Sequence, residues 1–359
     1  MKKIAYIAKN LNVNGISSVI LSYVTNLNSN DYIFDIYVGT PISDINLKRI
    51  KKYKNVRVIK TPNKDRKHFF EYYKFLKEKI YNYDIVHIHG NSHAILFEMI
   101  ISKKNKNKRI ICHCHNITCN NKLLHYILSP FFSYFYDYGI ACSELAGKWM
   151  FKKKKFTVLK NGVEVDKYKF DNKIRNSIKK ELNIKDNEIV IGHVGNFSDQ
   201  KNYPFLLDLF EKLCDDNTNY KLLLVGEWRN NEEIVNLVNN HKYSSNIILY
   251  GASNEIHKLY NVFDLFVFPS KFEGLGIVLL EAQINGLMCF TSNNVPKEVS
   301  LTTNIEFLSL ENVNLWIDKI KDLNYSFNRS DIINKFRNNI YLYDINYTIK
   351  KIAEIYENE

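Results

Sequence analysis

Two glutamates, Glu273 and Glu281, stand eight residues apart in the segment KFEGLGIVLLEAQ, residues 271–283. Two carboxylates can serve as the acid and the base or nucleophile of a glycosidase, where the groups lie about 5–9.5 Å apart. Eight helical residues would instead separate the carbons that bear the carboxylates by roughly 12 Å and rotate them by roughly 80°. The spacing therefore argues against an acid/base pair and favours two carboxylates that hold a ligand.

The glycines of this segment indicate a turn that binds phosphate. Gly274 and Gly276 separate a predicted strand from a predicted helix, and they suit a tight turn whose backbone amides point at an anion. Glu281 is expected about two turns into the helix, on an apolar stretch where an unpaired carboxylate is costly. A sugar diol would satisfy this carboxylate, and an exposed position on the helix is the alternative.

Two further loops follow predicted strands and carry residues suited to a phosphate. Lys201, in HVGNFSDQKN (residues 193–202), precedes a helix and can reach an anion, and Gly195 opens that loop. Gly15, in KNLNVNGISS (residues 9–18), lets the backbone approach a ligand at the start of a helix. A solvated lysine and an ordinary turn are the alternatives for Lys201 and Gly15.

Cysteines and histidines alternate in ICHCHNITC, residues 111–119. Cys112 and Cys114 have C-x-C spacing with no second pair, which is not typical of a structural zinc site. In a strand, the two cysteines would face one side of the sheet, and His113 and His115 would face the other. We therefore predict no metal site here.

The remaining bulk features point to a cytoplasmic protein. The six cysteines are scattered along 359 residues, which argues against a disulfide framework. No apolar run reaches the roughly 18–20 residues of a membrane span. The N-terminal segment MKKIAYIAKN is interpreted as a first strand rather than a signal peptide.

The elements that position these residues form two series of short apolar strands alternating with helices. This alternation predicts parallel sheets buried on both faces, and the two series predict two Rossmann-like, doubly wound α/β domains. We place the first domain at residues 1–165 and the second at residues 166–339, with a last helix from about residue 340 to 359 that can pack on either. Ligands of such folds bind beyond the carboxyl ends of the strands, where all three loops lie.

The formal net charge of +12 is concentrated in the first half of the chain. Up to Glu164 there are 28 Lys and Arg against 11 Asp and Glu, and the rest holds 22 against 27. This asymmetry predicts an anionic partner for the first domain, such as a membrane surface or a phosphorylated acceptor. A Lys/Asn/Ile-rich coding bias is the alternative, and no motif for nucleic-acid recognition is present.

One basic stretch carries aromatic residues beside its lysines. Trp149 and Phe151 precede four consecutive lysines, a combination that suits the surface of an anionic membrane; a solvated basic loop is the alternative. The aromatic segment LSPFFSYFYDY, residues 128–138, is interpreted as a core helix, with contact to acceptor or lipid as its alternative. The lysines are Lys152, Lys153, Lys154 and Lys155.

The pattern EGLGIVLLEA, with VGNFSDQKN upstream, resembles the retaining GT-B glycosyltransferases of glycosyltransferase family 4, in particular the bacterial capsular and exopolysaccharide enzymes. The resemblance extends over most of the chain, through VNGISSVI, DIVHIHGNSHA, RIICHCHN, IACSELAGKWMF and LKNGVEVDKYKF. It implies two Rossmann-like domains that face each other across a cleft, the first binding the acceptor and the second a nucleotide sugar. It also implies that the last helix crosses back to the first domain.

The resemblance implies a role for individual residues. Glu281 would bind the ribose hydroxyls, Glu273 would contact the donor sugar, and Lys201 would neutralise the diphosphate. His115 matches a catalytic histidine near the reacting sugar, with His113 as the second choice, and Glu273 is the other expected catalytic residue. The donor-binding residues implied in this way are Gly15, Gly195, Asn196, Lys201, Glu273, Gly274, Leu275, Gly276 and Glu281.

One position departs from the pattern of the family. Where the family usually has an arginine that pairs with the lysine on the diphosphate, this chain has Asn196, which can donate a hydrogen bond but carries no charge. Arg229 and Lys271 lie on nearby loops and are candidates to replace the missing charge. This departure is the one feature that favours a non-catalytic subunit.

These features together predict a retaining glycosyltransferase that moves a hexose or N-acetylhexosamine from a UDP-sugar to a lipid-linked glycan during synthesis of a capsule, exopolysaccharide or other surface glycan. The resemblance implies no cofactor and no metal at the catalytic step, with Lys201 and loop amides stabilising the diphosphate. A peripheral contact with the inner face of the cell membrane is expected. A non-catalytic subunit that stabilises a partner transferase, and a nucleotide-sugar epimerase, are the alternatives.

Overall fold

The apolar segments of the chain form parallel strands and the amphipathic segments between them form helices in a computed structural model, which describes residues 1–12, 15–105, 107–228, 231–253, 255–325 and 328–358. The chain divides into two units. Unit 1 comprises Met1–Gly162 and Ile345–Glu359, and unit 2 comprises Val163–Asp344.

The strands are β1 (Lys2–Ala8), β2 (Tyr32–Val38), β3 (Val56–Lys60), β4 (Ile85–His89), β5 (Arg109–Cys114), β6 (Tyr138–Ala141), β7 (Thr157–Val158), β8 (Ile189–Val194), β9 (Tyr220–Val225), β10 (Ile247–Leu249), β11 (Leu265–Phe268), β12 (Met288–Ser292) and β13 (Ile305–Leu308). The α-helices are α1 (Gly15–Asn26), α2 (Asp44–Ile50), α3 (Phe69–Lys79), α4 (Leu96–Lys104), α5 (Lys122–Phe132), α6 (Glu144–Phe151), α7 (Val165–Tyr168), α8 (Asn172–Glu181), α9 (Tyr203–Asp216), α10 (Glu232–Asn239), α11 (Ile256–Leu259), α12 (Ile277–Ile284), α13 (Val313–Lys321), α14 (Ser330–Lys335), α15 (Arg337–Tyr341) and α16 (Ile345–Glu357).

Unit 1 is built on a seven-stranded parallel sheet in the order β3-β2-β1-β4-β5-β6-β7. Its strands are buried on both faces, because one hydrophobic layer covers each side of the sheet. The last helix, α16, belongs to this unit: Ile352 and Tyr356 pack in the layer that also contains α1. The Tyr356 hydroxyl is 2.6 Å from that of Tyr6 on β1.

The alternation in β5 separates the cysteines from the histidines. Cys112 and Cys114 pack in the layer that contains α4 and α6, whereas His113 faces the opposite side, where its ring stacks on Tyr23 of α1. The pairing of His89 with His113 across β4 and β5 brings the histidines of both strands onto that same face. The alternation of side chains along each strand thus determines that the histidines of β4 and β5 meet on one face of the sheet.

Unit 2 repeats the architecture with a six-stranded parallel sheet in the order β10-β9-β8-β11-β12-β13. The strand order reverses between β8 and β11, as it does between β1 and β4 in unit 1. Such a reversal opens a crevice at the carboxyl ends of the two strands. The predicted fold class of two Rossmann-like α/β units with parallel sheets is confirmed.

Candidate functional site

The loops that follow β8 and β11 meet at the switch point of unit 2. The loop after β8 carries Gly195, Asn196 and Lys201, and the loop after β11 leads through residues 270–276 into α12. Neighbouring parallel strands end at the same edge of the sheet. Residues that lie about 70 positions apart in the sequence are therefore brought together at this edge of the sheet.

An ion pair joins these two loops. Lys201 Nζ donates a hydrogen bond to Glu273 Oε1 at 2.6 Å, and the two side chains are 17% and 9% exposed. The ammonium also lies 4.4 Å from the ring centroid of Phe268, the last residue of β11. Since a Cβ at Gly195 would lie only 3.1 Å from the Lys201 side chain, glycine there leaves the room in which the lysine lies. The structure thus brings three predicted donor residues together.

Backbone contacts fix the relative position of the two loops. The amide of Lys271 donates to the Gln200 carbonyl at 2.8 Å, and Gln200 Nε2 donates to the Phe272 carbonyl at 2.9 Å. The Lys271 side chain pairs with Asp199. Lys271, one of the two candidates to supply the charge of the missing arginine, is therefore already paired with a carboxylate. The other candidate, Arg229, lies outside the described residues.

Asn196 connects the end of β8 to the end of β9. Its Oδ1 accepts a hydrogen bond from the amide of Glu227 at 3.1 Å. The two strand ends approach so closely that a Cβ at Gly226 would lie 2.0 Å from the Gly195 carbonyl oxygen. Asn196 is exposed, so this part of the crevice has a neutral polar group where the resembling family usually has an arginine.

The turn before α12 has the geometry that its glycines predict. Gly276 adopts φ 84°, the left-handed region that favours glycine, and it is the N-terminal cap of α12. Leu275 is buried beneath the turn. Because α12 begins at Ile277, Glu281 lies little more than one turn into the helix, and the expectation of about two turns was wrong.

Glu281 is held by two tyrosines. Tyr168 donates to Oε1 at 2.8 Å and Tyr260 donates to Oε2 at 2.7 Å. Burial raises the pKa of Glu281 to about 7, although the hydrogen bonds from Tyr260 and Tyr168 oppose this shift. The alternative of an exposed position does not apply, since the residue is half-buried and both carboxylate oxygens accept a hydrogen bond. Sequence reasoning missed both tyrosines, because α7 and α11 show no local pattern that links them to α12.

In unit 1, His115 lies just beyond β5. Its ring Nε2 is 2.9 Å from His89 Nδ1, and its backbone amide donates to Asn91 Oδ1 at 2.9 Å. Burial lowers the pKa of His115 to about 3, so the ring is neutral near pH 7. His113 lies deeper, fully buried inside the sheet layer. Of the two candidates, His115 is the one nearer the end of its strand, and Gly15 opens α1 in the same unit.

The histidines of β4 and β5 form a stacked column. Nitrogens of His87, His89 and His113 lie within 4.8 Å of one another, close enough to raise the question of a metal. However, His87 is stacked at an interplanar angle of 17° on both His89 and His113. Imidazole lone pairs lie in the ring plane, so nearly parallel rings do not direct them at one centre. The donor geometry therefore does not suit a shared metal ion.

The aromatic residues expected at a membrane are only in part available. Phe151 is a core residue, stacked on Phe156 and 3% exposed, so the expectation that it meets a membrane was wrong. Trp149 is half-buried, with its Nε1 donating to the Asn91 carbonyl at 2.9 Å. The four lysines 152–155 are exposed. No helix in the described part of the chain combines the length and apolar character that crossing a bilayer requires.

Two family models match the chain. The model described as glycosyl transferases group 1 matches residues 174–323, within unit 2. The model described as glycosyltransferase family 4 matches residues 13–167, nearly all within unit 1. Together the two models account for most of the chain.

Individual proteins show the same likeness. The chain is 31% identical to EpsF of Bacillus subtilis over 187 residues, 50% of this chain and about half (49%) of that relative's length. It is 28% identical to the capsular polysaccharide biosynthesis glycosyltransferase CapH of Staphylococcus aureus, over 80% of each chain. Among solved structures, Anabaena HepE in complex with UDP and glucose aligns over 100% of both chains with a TM-score of 0.81 at 16% identity. That likeness is one of fold.

Proposed function

Since the chain belongs to the family 4-like glycosyltransferases with the GT-B fold, we propose that it is a retaining hexosyltransferase. It moves a hexose or N-acetylhexosamine from a UDP-sugar to a lipid-linked glycan, in the synthesis of a capsule, exopolysaccharide or other surface glycan. The observation that carries this proposal is the Lys201–Glu273 pair at the switch point of unit 2.

Lys201 is the group that stabilises the leaving diphosphate. It is a half-buried cation at the point where the strand order reverses, beside a turn whose left-handed Gly276 caps the start of a helix. Charge that develops on a diphosphate is stabilised by preorganised cations and amides in a site with little water. Because the lysine is already held in place by Glu273, little reorganisation is needed when a donor binds.

Glu273 and Glu281 recognise hydroxyl groups of the donor. A carboxylate oxygen can accept two hydrogen bonds, so Glu273 Oε1 retains capacity for a sugar hydroxyl beside the lysine. Glu281 has one tyrosine on each oxygen, which orients the carboxylate and leaves the remaining lone pairs for the ribose diol. Asn196 supplies hydrogen bonding without charge, so the diphosphate relies more heavily on Lys201.

Retention follows if the leaving phosphate helps to deprotonate the acceptor on the face from which it departs. The neutral ring of His115 is suited to hydrogen bonding with a substrate rather than to acting as a cation. The UDP preference is supported by the bound UDP and glucose of Anabaena HepE. The lipid-linked acceptor is supported by the excess of basic residues in unit 1.

A panel of nucleotide sugars tests the proposal. We expect the purified full chain to bind a UDP-sugar, seen as a rise in melting temperature, and to hydrolyse it slowly in the absence of acceptor. Glu273→Gln should bind but turn over poorly, and Lys271→Ala, on the exposed side of the same turn, serves as the matched control. A wild-type chain that binds no nucleotide sugar would indicate a non-catalytic subunit instead, and a product with an inverted sugar centre but intact diphosphate would indicate an epimerase.

A further inference from the structure

The helix α5 presents an unusually apolar outer face. Five large side chains on it are between 57% and 73% exposed. They recur at intervals of one, three and four residues, so they share one side of the helix. They are Leu123, Tyr126, Ile127, Phe131 and, just past the helix, Tyr134.

The opposite side of α5 is also uncharged and packs against the core of unit 1. His125 and Phe132 are buried there, and His125 stacks on Trp149 of α6 at 4.1 Å. A surface helix of a globular protein normally carries charged residues on its outer side. Here Lys122 is the one charged residue from position 122 to position 136. A cluster of exposed apolar side chains of this kind marks an interaction surface.

Positive charge is concentrated in the part of the sequence that flanks this apolar face. The sequence from residue 99 to residue 160 holds twelve Lys and Arg but only two acidic residues, Asp137 and Glu144. The α5 helix and the start of the basic stretch are neighbours in space, since Tyr126 contacts Trp149 edge-to-face. Burial lowers the pKa of His125 to about 4, with smaller contributions from His93 and from the charge of Lys152.

We propose that the outer face of α5 inserts into the interface of an anionic lipid bilayer, with lysines 152–155 against the headgroups. An apolar helix face flanked by lysines binds such a surface through burial of apolar area and electrostatic attraction. Tyr126 and Tyr134 place a ring with a polar hydroxyl where tyrosine is favoured, at the level of the headgroups. The inference rests on the proposed function, because a lipid-linked acceptor would be reached from that surface.

The charge distribution favours lipid over a second copy of this chain as the partner. Two identical surfaces with the same excess of lysine repel each other. An anionic bilayer offers the opposite charge and an apolar interior. The contact also explains why the exposed residues are large apolar ones instead of the charged and polar ones usual on a solvated helix.

Vesicle co-sedimentation of the full chain tests the inference. The variant Ile127→Ser/Phe131→Ser removes apolar area from the outer face, and Phe70→Ser on α3 is the control, because Phe70 is 84% exposed in the same unit. With vesicles of phosphatidylcholine and phosphatidylglycerol, we expect the double variant to partition roughly 30-fold more weakly than the wild type. The control should bind as the wild type does, and vesicles of phosphatidylcholine alone should bind all three less.

Several results would overturn the inference: no sedimentation of the wild type with anionic vesicles, an equal loss in Phe70→Ser, or a dimer that the double variant abolishes while vesicle binding is absent. Circular dichroism and binding of a UDP-sugar, measured on the same preparations, separate this question from the proposed function. Retained UDP-sugar binding without vesicle binding refutes only the membrane surface. Vesicle binding by a chain that binds no nucleotide sugar leaves the surface intact and refutes the proposed transferase.

Discussion

The affinity for a UDP-sugar should rise about tenfold between pH 6 and pH 8 because Glu281 ionises in this range. With a pKa of about 7, roughly one tenth of the Glu281 side chains are ionised at pH 6 and roughly nine tenths at pH 8. In the proposed donor site, an ionised Glu281 has lone pairs for both ribose hydroxyls, because Tyr168 and Tyr260 occupy only one site on each oxygen. Binding therefore selects the ionised form, and affinity follows its population.

Titration calorimetry across this pH range measures the effect. The ligand should be a UDP-sugar rather than UDP, because its bridging phosphates do not titrate there. Glu281→Gln keeps the shape but cannot ionise, so its affinity should be low and nearly constant with pH. Tyr260→Phe removes a hydrogen bond that opposes the raised pKa, and its affinity curve should move to higher pH.

The opposite results would refute this reasoning. A wild-type affinity that stays constant from pH 6 to pH 8 would mean that Glu281 does not contact the donor or does not titrate in this range. A slope that persists in Glu281→Gln would assign the proton to another group. Either result leaves the proposed role of Lys201 untouched, since that residue is proposed to contact the diphosphate and not the ribose.

Three further outcomes are expected. Lys201→Ala should weaken UDP-sugar binding roughly 30-fold, by loss of a charge-assisted hydrogen bond, while Lys271→Ala changes it little; equal effects in calorimetry would contradict the assignment. Asn196→Arg should strengthen binding by restoring the missing cation, and weaker binding by a variant that folds normally would show that the tie to Glu227 matters more. The chain should lose stability below about pH 6.5, because the unfolded chain protonates His115 there and the folded chain does so only near pH 3. At pH 5 this one histidine lowers the free energy of unfolding by about 2 kcal/mol, and His113 acts in the same direction. A melting temperature equal at pH 5 and pH 7 would contradict this.

The fold could be predicted from the sequence because the apolar residues recur with the periods of strands and helices. Alternating short apolar and longer helical segments require parallel sheets with helices on both faces. The placement of Cys112 and His113 on opposite faces follows from the period of two alone. The meeting of Lys201 with Glu273 was also accessible, because both follow strands and parallel strands end at one edge.

The surroundings of Glu281 could not be predicted from the sequence in this way. Tyr168 at the end of α7 and Tyr260 just past α11 reach the carboxylate from positions far apart in sequence, and no local sequence pattern indicates such a contact. The same limitation explains Phe151, whose position beside lysines suggested a surface, although packing against Phe156 places it in the core. The exposure of the outer face of α5 could not be predicted for a related reason. An apolar segment predicts burial, but it does not specify which side of the helix is covered.

The two ends of unit 1 are separated by the whole of unit 2, which affects the order of folding during synthesis. Tyr356 of α16 completes the layer over β1 and β4, where its hydroxyl meets Tyr6 and His87 Nδ1, at 2.6 Å and 2.7 Å. This layer cannot close until residue 356 has left the ribosome, by which time all of unit 2 is available to fold. Although it comes first in the sequence, unit 1 can therefore complete its native core only after the whole of unit 2 has been synthesised.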